Sequence, residues 1–582
     1  MRAPLQFDRH NVSPPNMKKR FFLPCLIVLL TASTASATPQ RSLDGMVTSA
    51  HPLASQVGVE ILQAGGNAVD AAVATTLAIS VVEPFSAGIG GGGFLLLYRQ
   101  DVGEMRALDF RERAPMAATR DMYLDEAGNP IARSSLDGHL AAGVPGTVAG
   151  LAVLHREYGM LPWQQVVEPA IALARDGFPV HSRLVRAVER RQEILLANPA
   201  AKEAFTQDGT FYALGDRLLQ PDLADTLTQI AANPENFYTG EIAGAIADDM
   251  TANGGLITRE DLAAYEPIWR DPLCGDFRQW QVCSMPPPSS GGVHLLQILN
   301  LIGDADLAGQ GWRHPDTLHL LIEAMRIAYA DRAKYLGDPD FVEVPVAELV
   351  SPAYAALRRG EIEMERARSS SEVQPADAQT LQRLRESPDT SHLTVVDRDR
   401  NAVSLTFTVN GGFGAAVVAE GTGILLNNEM DDFSIAPGVP NLFGLVGGEA
   451  NSIAPGKTPL SSMTPTIVTE GDRLRLAVGA PGGSTIITTV LQVLLNVLAY
   501  EMDVERAVAA PRLHHQWLPD RTSIEPWGLD VLTLEELRRR GHELRERSPW
   551  GNANAIEVTT EGYLEGAADP RGEGLAIGVL SR

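Results

Sequence analysis

The sequence predicts a mixed fold, α/β or α+β, in which β-sheets lie between layers of helices. Segments with helical patterns dominate the first part of the chain, and segments with strand patterns dominate after Asp389. Between them, residues 361–386 are charged, contain serine and have few large apolar side chains, which is typical of an exposed, mobile linker. We therefore expect two parts joined at about residues 361–389, without an internal repeat.

The helices of the first part are marked by composition and by end signals. Residues 66–82 are rich in alanine, start with Asn67 as an N-cap and stop at Glu83-Pro84, which predicts a buried helix. Further helices are predicted at residues 146–157, 163–176 and 316–334. In the second part, strands are predicted at 392–396, 402–409, 423–426, 466–468 and 474–478, a helix at 485–498, and more strands near the C-terminus.

A glycine-rich turn follows the alanine-rich helix. Gly88, Gly90 and Gly93 match the dinucleotide-binding pattern G-x-G-x-x-G. That function needs a strand before the glycines and a helix after them, so that the helix N-terminus faces the pyrophosphate. Here the order is reversed, with a helix before and the strand-like "FLLLY" after. The pattern therefore predicts a tight turn with close backbone contacts and no dinucleotide.

The charge of the chain excludes one class of partner. The 582 residues carry a formal net charge of -24, so a nucleic acid would be repelled. A small anionic ligand needs only a local basic site, and it is not excluded. We expect no nucleic-acid partner.

The N-terminus has the pattern of a targeting segment. Lys18, Lys19 and Arg20 precede an apolar run at residues 21–32, and the small residues 35–37 form a cleavage site. The run is too short for a membrane span. We expect residues 1–37 to be a signal peptide, with Met1 or Met17 as the start, and the mature protein to be periplasmic or secreted, without a membrane span.

Export would leave Cys274 and Cys283 in "CGDFRQWQVC". A hairpin centred between Arg278 and Gln279 places the two cysteines opposite each other, which allows a disulfide in an oxidising compartment or two buried thiols. The metal-like pairs are His514-His515 and His319 with Glu323. Since neither pair has a third ligand nearby, we predict no metal and no other cofactor.

A hairpin with a chemically unusual start opens the strand-rich part. If its loop is residues 397–401, centred on Asp399, Thr390 lies opposite Thr408. The pair can be an ordinary cross-strand Thr–Thr contact. Alternatively, a cut between Asp389 and Thr390 would give Thr390 a free α-amine of pKa near ~8, which could act as the general base for its own hydroxyl. A linker just upstream suits such a cut.

Two further segments have weaker signals. Ser461 and Ser462 in "GKTPLSSMTPT" can be turn residues or N-caps. Gly482 and Gly483 in "GAPGGS" can form a simple turn before a helix. A glycine pair at a strand-to-helix junction can also leave backbone N–H groups free to bind an oxyanion.

Motifs along nearly the whole mature chain resemble the γ-glutamyltransferase (γ-glutamyl transpeptidase) family. They include "GGNAVDAAVA", "DFRERAP", "MPPPSSGG", "TSHLTVVD", "NNEMDDFS", "PLSSMTPT" and "GAPGGS". The resemblance implies an N-terminal-nucleophile hydrolase with a four-layer αββα sandwich. It also implies self-cleavage between Asp389 and Thr390, which gives a large subunit (38–389) and a small subunit (390–582) that stay associated as a heterodimer.

The resemblance also implies the reaction and the site. The substrates are glutathione and other γ-glutamyl amides, and the acceptors are water, amino acids or dipeptides. Thr390 is the nucleophile, Thr408 its hydrogen-bond partner, and Gly482 and Gly483 hold the oxyanion. The substrate-binding residues are Arg111, Ser461 and Ser462 for the α-carboxylate, and Asn410, Glu429 and Asp432 for the α-ammonium.

Two positions depart from many bacterial members of the family. Glu429 replaces a glutamine, and since a negative charge suits an ammonium we expect specificity to survive. Residues 437–448 resemble the family's lid, where Phe443 replaces a tyrosine that bonds across the cleft; we expect a lid that closes by packing alone and opens more readily. The alternatives are a β-lactam acylase acting on glutaryl groups, and an uncleaved periplasmic protein that binds γ-glutamyl compounds.

Overall fold

The computed structural model describes residues 39–375, 390–436 and 438–580. The predicted signal peptide, the second half of the predicted linker and Asp389 lie outside these residues. No helix in the described ranges is both long enough and apolar enough to cross a bilayer.

The secondary structure of the described residues alternates between short strands and helices. The strands are β1 (Gln40–Ser42), β2 (Gly45–Ser49), β3 (Gly92–Arg99), β4 (Glu104–Phe110), β5 (Phe178–Pro179), β6 (Thr206–Gln207), β7 (Thr210–Phe211), β8 (Arg217–Leu218), β9 (Ile268–Arg270), β10 (Leu273–Phe277), β11 (Trp280–Ser284), β12 (Ser391–Asp397), β13 (Ala402–Thr408), β14 (Thr466–Glu470), β15 (Arg473–Gly479), β16 (Leu513–His514), β17 (Thr522–Ile524), β18 (Leu544–Glu546), β19 (Asn554–Val558), β20 (Leu564–Ala568) and β21 (Leu575–Gly578). The α-helices are α1 (Pro52–Gln63), α2 (Ala68–Val82), α3 (Thr147–Tyr158), α4 (Trp163–Asp176), α5 (Ser182–Ala197), α6 (Pro199–Phe205), α7 (Pro221–Ala232), α8 (Asn236–Thr239), α9 (Glu241–Asn253), α10 (Arg259–Ala263), α11 (Gly291–Ile302), α12 (Leu307–Gln310), α13 (Pro315–Tyr335), α14 (Val346–Leu349), α15 (Pro352–Arg359), α16 (Thr485–Leu498), α17 (Val504–Ala509) and α18 (Val531–Arg539).

Two antiparallel sheets of seven strands each form the centre of the fold. Sheet I has the order β21-β2-β12-β13-β3-β4-β9, and sheet II has the order β1-β20-β19-β15-β14-β11-β10. Strands from both ends of the chain enter each sheet. The two parts of the chain predicted from the sequence therefore both contribute strands to each sheet.

The side chains of β3 show how the layers stack. Leu95 and Leu97 pack in the apolar core shared with α1 and α2, whereas Phe94 and Leu96 pack in the core shared with sheet II. Because successive side chains of a strand point to opposite faces, sheet I has helices on one face and sheet II on the other. Helices α11, α13 and α16 pack in the core of sheet II. The predicted four-layer αββα sandwich is confirmed.

Helix α2 forms as predicted from its end signals. Asn67 Oδ1 accepts hydrogen bonds from the N–H groups of Val69 and Asp70, and the Asp70 carboxylate accepts one from the Asn67 N–H. This reciprocal capping satisfies donors that a helix N-terminus otherwise leaves free. Every residue from Ala68 to Val82 is buried, which suits the run of small side chains.

The glycines after α2 allow close approach of the backbone to the second half of the chain. A Cβ on Gly91 would lie 1.8 Å from the carbonyl oxygen of Thr408, and one on Gly90 would lie 2.2 Å from that of Leu425. The turn leads directly into β3, so the prediction of a tight turn is confirmed. Only glycine fits here, and this turn sets the position of the end of β13.

The hairpin of β12 and β13 has the predicted register. Ser391 pairs with Phe407 and Val396 with Ala402. This hairpin is in the middle of sheet I, and all residues of both strands are buried. Its open end carries Thr390.

Cys274 and Cys283 are paired across the β10–β11 hairpin and form a disulfide. The disulfide was one of the two alternatives that the sequence left open. It ties the edge strand of sheet II to its neighbour.

Two local predictions are wrong. Residues 423–426 form no strand of either sheet; Leu425 makes an isolated bridge with Val418. Within the segment predicted to be exposed, Arg368, Ser370 and Val373 are buried. They are held by residues far along the chain: the Trp517 Nε1–H donates to the carbonyl oxygens of Ser370 and Val373.

Candidate active site

Thr390 lies at the head of β12, beside the end of β13. Its Oγ1 is 3.3 Å from Oγ1 of Thr408, and it is 4% exposed. The Thr408 hydroxyl oxygen also accepts a hydrogen bond of 2.8 Å from the Asn410 N–H. The cross-strand pair predicted from the register is therefore present, and the Thr408 hydroxyl is fixed by the backbone that follows its strand.

Gly482 and Gly483 lie between β15 and α16, at the predicted strand-to-helix junction. Both have positive φ, 136° and 55°, which favours glycine. Among the described residues, neither backbone N–H has a hydrogen-bond acceptor, while both carbonyl oxygens accept bonds from the first turn of α16. Two free N–H groups at the start of a helix can bind an oxyanion.

The predicted residues surround one small cavity. Thr390 and Thr408 lie in its wall with Gly483 and the Phe443 side chain. The other predicted residues in the wall are Arg111, Asn410, Glu429, Asp432, Ser461 and Ser462. Gly482 is adjacent to the wall, and Asp389 lies outside the described residues. The structure therefore brings Arg111 together with residues of several loops and strand ends between Thr390 and Gly483.

Arg111 forms a buried ion pair with two of the predicted ammonium ligands. Its Nη1 is 2.5 Å from Glu429 Oε1 and its Nη2 is 2.5 Å from Asp432 Oδ2. Arg111 and Glu429 are 1% exposed, and Glu112 lies 3.9 Å away on the same guanidinium. One cation therefore faces three carboxylates, an arrangement that sequence analysis did not predict.

Burial dominates the ionisation of this cluster. It raises the pKa of Glu112 to about 7, against the attraction of Arg111, and it raises the pKa values of Glu429 and Asp432 as well. Burial opposes the charge of Arg111, but Glu429 and Asp432 raise its pKa above the ordinary value. A positive ligand group near these carboxylates would favour their ionised forms.

The remaining predicted ligands offer polar atoms of the required kind. The Asn410 amide donates to the Asn428 carbonyl oxygen at 3.0 Å, and in the described part of the chain its own carbonyl oxygen has no hydrogen-bond partner. Ser461 Oγ accepts from the Met463 N–H at 3.0 Å, and Ser462 Oγ accepts from Arg332 at 3.4 Å. Asn410 thus presents an acceptor, and both serines keep a donor.

The described part of the predicted lid contributes Phe443 and Leu445 to the wall of the cavity. Phe443 packs so closely on Gly483 that a Cβ on the glycine would be 2.2 Å from the ring. The Asn441 amide donates to Asp432 at 3.1 Å, and the Leu442 N–H donates to the Asp431 carboxylate at 2.7 Å. The prediction of closure by packing alone is wrong, because these hydrogen bonds join the lid to the site.

Arg332 is the polar residue of the wall that sequence analysis missed. It lies near the end of α13, is 5% exposed and contacts Ser290 and Ser462. The only sequence signal was an arginine inside a segment predicted to be helical. Leu445, Met463 and Ile486 add apolar surface to the wall.

The histidines of the two metal-like pairs make hydrogen bonds within the protein. His514 contacts Thr488 and Gln516, and His319 contacts His542. No group of three or more potential metal ligands occurs in the ranges that the structure describes. His392, two residues from Thr390, bonds to two threonine hydroxyls, and burial lowers its pKa to about 3.

A sandwich of two sheets between helix layers is the architecture of the N-terminal-nucleophile hydrolases. The crystal structure of a cephalosporin acylase from Bacillus halodurans is similar to this chain, with a TM-score of 0.82, 30% identity, and coverage of 97% of this chain and 100% of that one.

Comparison with known proteins gives the family. The family model of Gamma-glutamyltranspeptidase matches residues 54–579. The glutathione hydrolase proenzyme of Escherichia coli (strain K12) is 49% identical over 535 residues, which cover 92% of this chain and 91% of that protein. The acylase ACY 1 proenzyme of Pseudomonas sp. (strain V22) is 39% identical over 555 residues, with coverage of 94% and 95%. The chain belongs to the gamma-glutamyltranspeptidase family, and it is an enzyme of that kind.

Proposed function

We propose that the protein cleaves the γ-glutamyl amide bond of glutathione and related compounds, and passes the glutamyl group to water or to an amino acid or peptide. The observation that carries this proposal is the wall of the cavity around Thr390. It holds cations, carboxylates and hydroxyls within reach of one nucleophile. Such a wall is complementary to the amino acid end of a γ-glutamyl group.

The enzyme would first have to cut its own chain. In this step the Thr390 hydroxyl attacks the Asp389 carbonyl, the Asp389–Thr390 amide bond breaks, and an ester to Oγ1 forms. Water then hydrolyses the ester, which restores the hydroxyl and leaves a free α-amine on Thr390. The "proenzyme" in the names of both relatives favours this step.

The freed amine would then serve as the base of catalysis. It takes the proton of the Thr390 hydroxyl as Oγ1 attacks the γ-carbonyl of the substrate. The N–H groups of Gly482 and Gly483 stabilise the oxyanion, and the amine of the leaving group departs with the proton. The glutamyl ester on Thr390 is then hydrolysed, or it is transferred to an amine acceptor.

Binding would depend on the charges around Arg111. The substrate ammonium approaches Glu429 and Asp432, where the Asn410 carbonyl oxygen accepts one of its hydrogens. The ammonium then shares the carboxylates that Arg111 holds in the described structure. Part of the guanidinium fork becomes available to the substrate carboxylate, beside Ser461 and Ser462.

The second candidate is an acylase for glutaryl groups, which the acylase relatives favour. Glutaryl groups have the terminal carboxylate but no ammonium. They would leave Glu429 and Asp432 without a cationic ligand at a site where burial already disfavours their charge. The carboxylates therefore favour γ-glutamyl substrates.

Hydrolysis of γ-glutamyl-4-nitroanilide and glutaryl-4-nitroanilide by the same preparation tests the choice. We expect a higher kcat/KM for the γ-glutamyl compound by about 10- to 100-fold, because the glutaryl compound lacks the ammonium that would bond to Glu429 and Asp432, and a hydrogen bond to a charged group contributes about 1.5–3 kcal/mol. Thr390→Ala is the inactive control. A preference for the glutaryl compound would reject the proposed function. Turnover of neither compound, with a single band in denaturing electrophoresis, would favour the uncleaved binding protein.

A further inference from the structure

Arg332 has the features of a ligand-binding cation, although no substrate contact was predicted for it. It lies in the last turn of α13, in the wall of the cavity that contains Thr390. Its Nε donates to Ser290 Oγ at 3.1 Å, and its Nη2 donates to Ser462 Oγ at 3.4 Å. Both partners are hydroxyls and neutral.

Arg332 forms no ion pair within the described structure, although Asp432 attracts its charge from a greater distance. No carboxylate of the described residues lies within 4.0 Å of it, in contrast to Arg326 on the same helix, which pairs with Glu323 and Asp520. Burial lowers the pKa of Arg332 to about 10, so the guanidinium remains charged at neutral pH. A buried charge without a counter-ion is costly unless a ligand supplies the opposite charge.

Arg332 also determines which way the nearby hydroxyls can point. A guanidinium can only donate, so Ser462 Oγ and Ser290 Oγ must accept from it. The Ser290 hydroxyl then donates to the Ser461 carbonyl oxygen at 2.8 Å. The Ser462 proton is left for another acceptor, and in the described chain no residue accepts it. An anionic ligand in the cavity is the acceptor that fits.

Arg111 cannot supply the same charge alone. Both of its terminal nitrogens contact carboxylates at 2.5 Å, so its positive charge is already compensated. We propose that Arg332 is a specificity-determining residue that recognises the α-carboxylate of the γ-glutamyl group. Its guanidinium would bind the carboxylate directly, and it would also direct the Ser462 hydroxyl toward that carboxylate. This inference rests on the proposed function, since it needs a substrate with an α-carboxylate.

The test is Arg332→Gln, measured with substrates that differ in one charged group. γ-Glutamyl-4-nitroanilide carries both α-groups, and 4-aminobutanoyl-4-nitroanilide lacks the carboxylate. We expect KM for the γ-glutamyl compound to rise about 10- to 100-fold, the range for a lost hydrogen bond to a charged group, with a much smaller change in kcat. The inhibition constant of the 4-aminobutanoyl compound should stay within about twofold of the wild-type value.

Two further variants separate recognition from folding. Arg326→Gln removes another buried arginine of α13, which forms ion pairs with carboxylates and is absent from the cavity wall. This variant should leave unchanged the ratio of KM for the γ-glutamyl compound to the inhibition constant of the 4-aminobutanoyl compound. Arg332→Lys keeps the charge but loses the fork that spans Ser290 and Ser462, so KM should rise less than in Arg332→Gln. If Arg332→Gln does not fold or is not cleaved, the lysine variant carries the test alone, and a wild-type KM in it would overturn the inference.

The outcomes distinguish this inference from the proposed function. Wild-type enzyme that does not hydrolyse γ-glutamyl-4-nitroanilide would reject the proposed function itself. If the wild-type enzyme is active, Arg332→Gln can still weaken the binding of both compounds equally, or lower kcat alone. Either result would show a structural role for Arg332. Either of the last two results overturns only the inference.

Discussion

Thr408→Val tests the contact between the two hydroxyls at the open end of the β12–β13 hairpin. Valine keeps the β-branched shape of threonine, so the buried strand position is filled as before. The substitution removes the Oγ1 that is 3.3 Å from Thr390 Oγ1. It also removes the acceptor of the Asn410 N–H. Leaving that N–H without its partner should lower the free energy of unfolding by about 1–3 kcal/mol.

The effect of Thr408→Val on turnover should exceed its effect on binding. The hydroxyl contacts the attacking atom, and its one contact with a predicted ligand of the α-groups is to the backbone N–H of Asn410, not to the side chain that would meet the ammonium. Its loss should therefore act mainly on the transition state. Losing about 2–3 kcal/mol of transition-state stabilisation lowers kcat about 30- to 150-fold. KM should change little. The assay is steady-state hydrolysis of γ-glutamyl-4-nitroanilide, together with thermal unfolding and electrophoresis to count the cleaved molecules.

Thr406→Val is the matched control, because Thr406 lies on the same strand. Its Oγ1 bonds to His392 Nδ1 at 2.8 Å and is not in the wall of the cavity. We expect a similar loss of stability, with kcat within about twofold of wild type. Thr408→Ser should keep most of the activity. Wild-type kcat in Thr408→Val, or an equal loss in Thr406→Val, would refute the role of the Thr408 hydroxyl.

Four more predictions concern charge, the lid and the disulfide. Glu429→Gln should raise KM about 3- to 10-fold with kcat and the preference over glutaryl groups retained, since one ionic contact of the ammonium becomes neutral; a reversed preference would contradict this. In the wild type, burial raises the pKa of Glu112 to about 7. The carboxylate cluster therefore gains negative charge as pH rises through that value, and KM for the γ-glutamyl compound should fall. A KM that rises with pH would contradict the assignment. Phe443→Tyr adds a hydroxyl that can bond across the cleft, and it should slow turnover and change the ratio of transfer to hydrolysis; unchanged kinetics would refute a lid role. Cys274→Ser should lower the free energy of unfolding by about 2–3 kcal/mol, which is the loop-closure value for about ten residues. It should leave kcat/KM unchanged, because the disulfide with Cys283 holds an edge strand.

The elements that sequence could predict are those that depend on local signals. The register of the β12–β13 hairpin follows from a short polar loop between two strand patterns, and helix α2 follows from its cap and its small side chains. The glycine turn before β3 was predicted by the order of elements around it. The convergence of the site residues followed from the family resemblance and was not predicted from their spacing.

The missed features depend on contacts between distant segments. The Arg111 ion pair joins residues 321 positions apart, and nothing local to "DFRE" shows that Glu429 and Asp432 occupy its fork. Burial of Ser370 depends on Trp517, which follows it by 147 residues. Arg332 resembles any charged residue of a helix until α13 is placed against the loop of Ser462.

The most direct test of the account is the mass and N-terminal residue of the smaller fragment in active, purified enzyme. The account predicts that the chain is cut and that the small fragment begins with Thr390, whose new α-amine activates its own hydroxyl. Thr390→Ala should remain one chain and be inactive. Folded wild-type protein that hydrolyses γ-glutamyl-4-nitroanilide while its chain is intact would contradict the account.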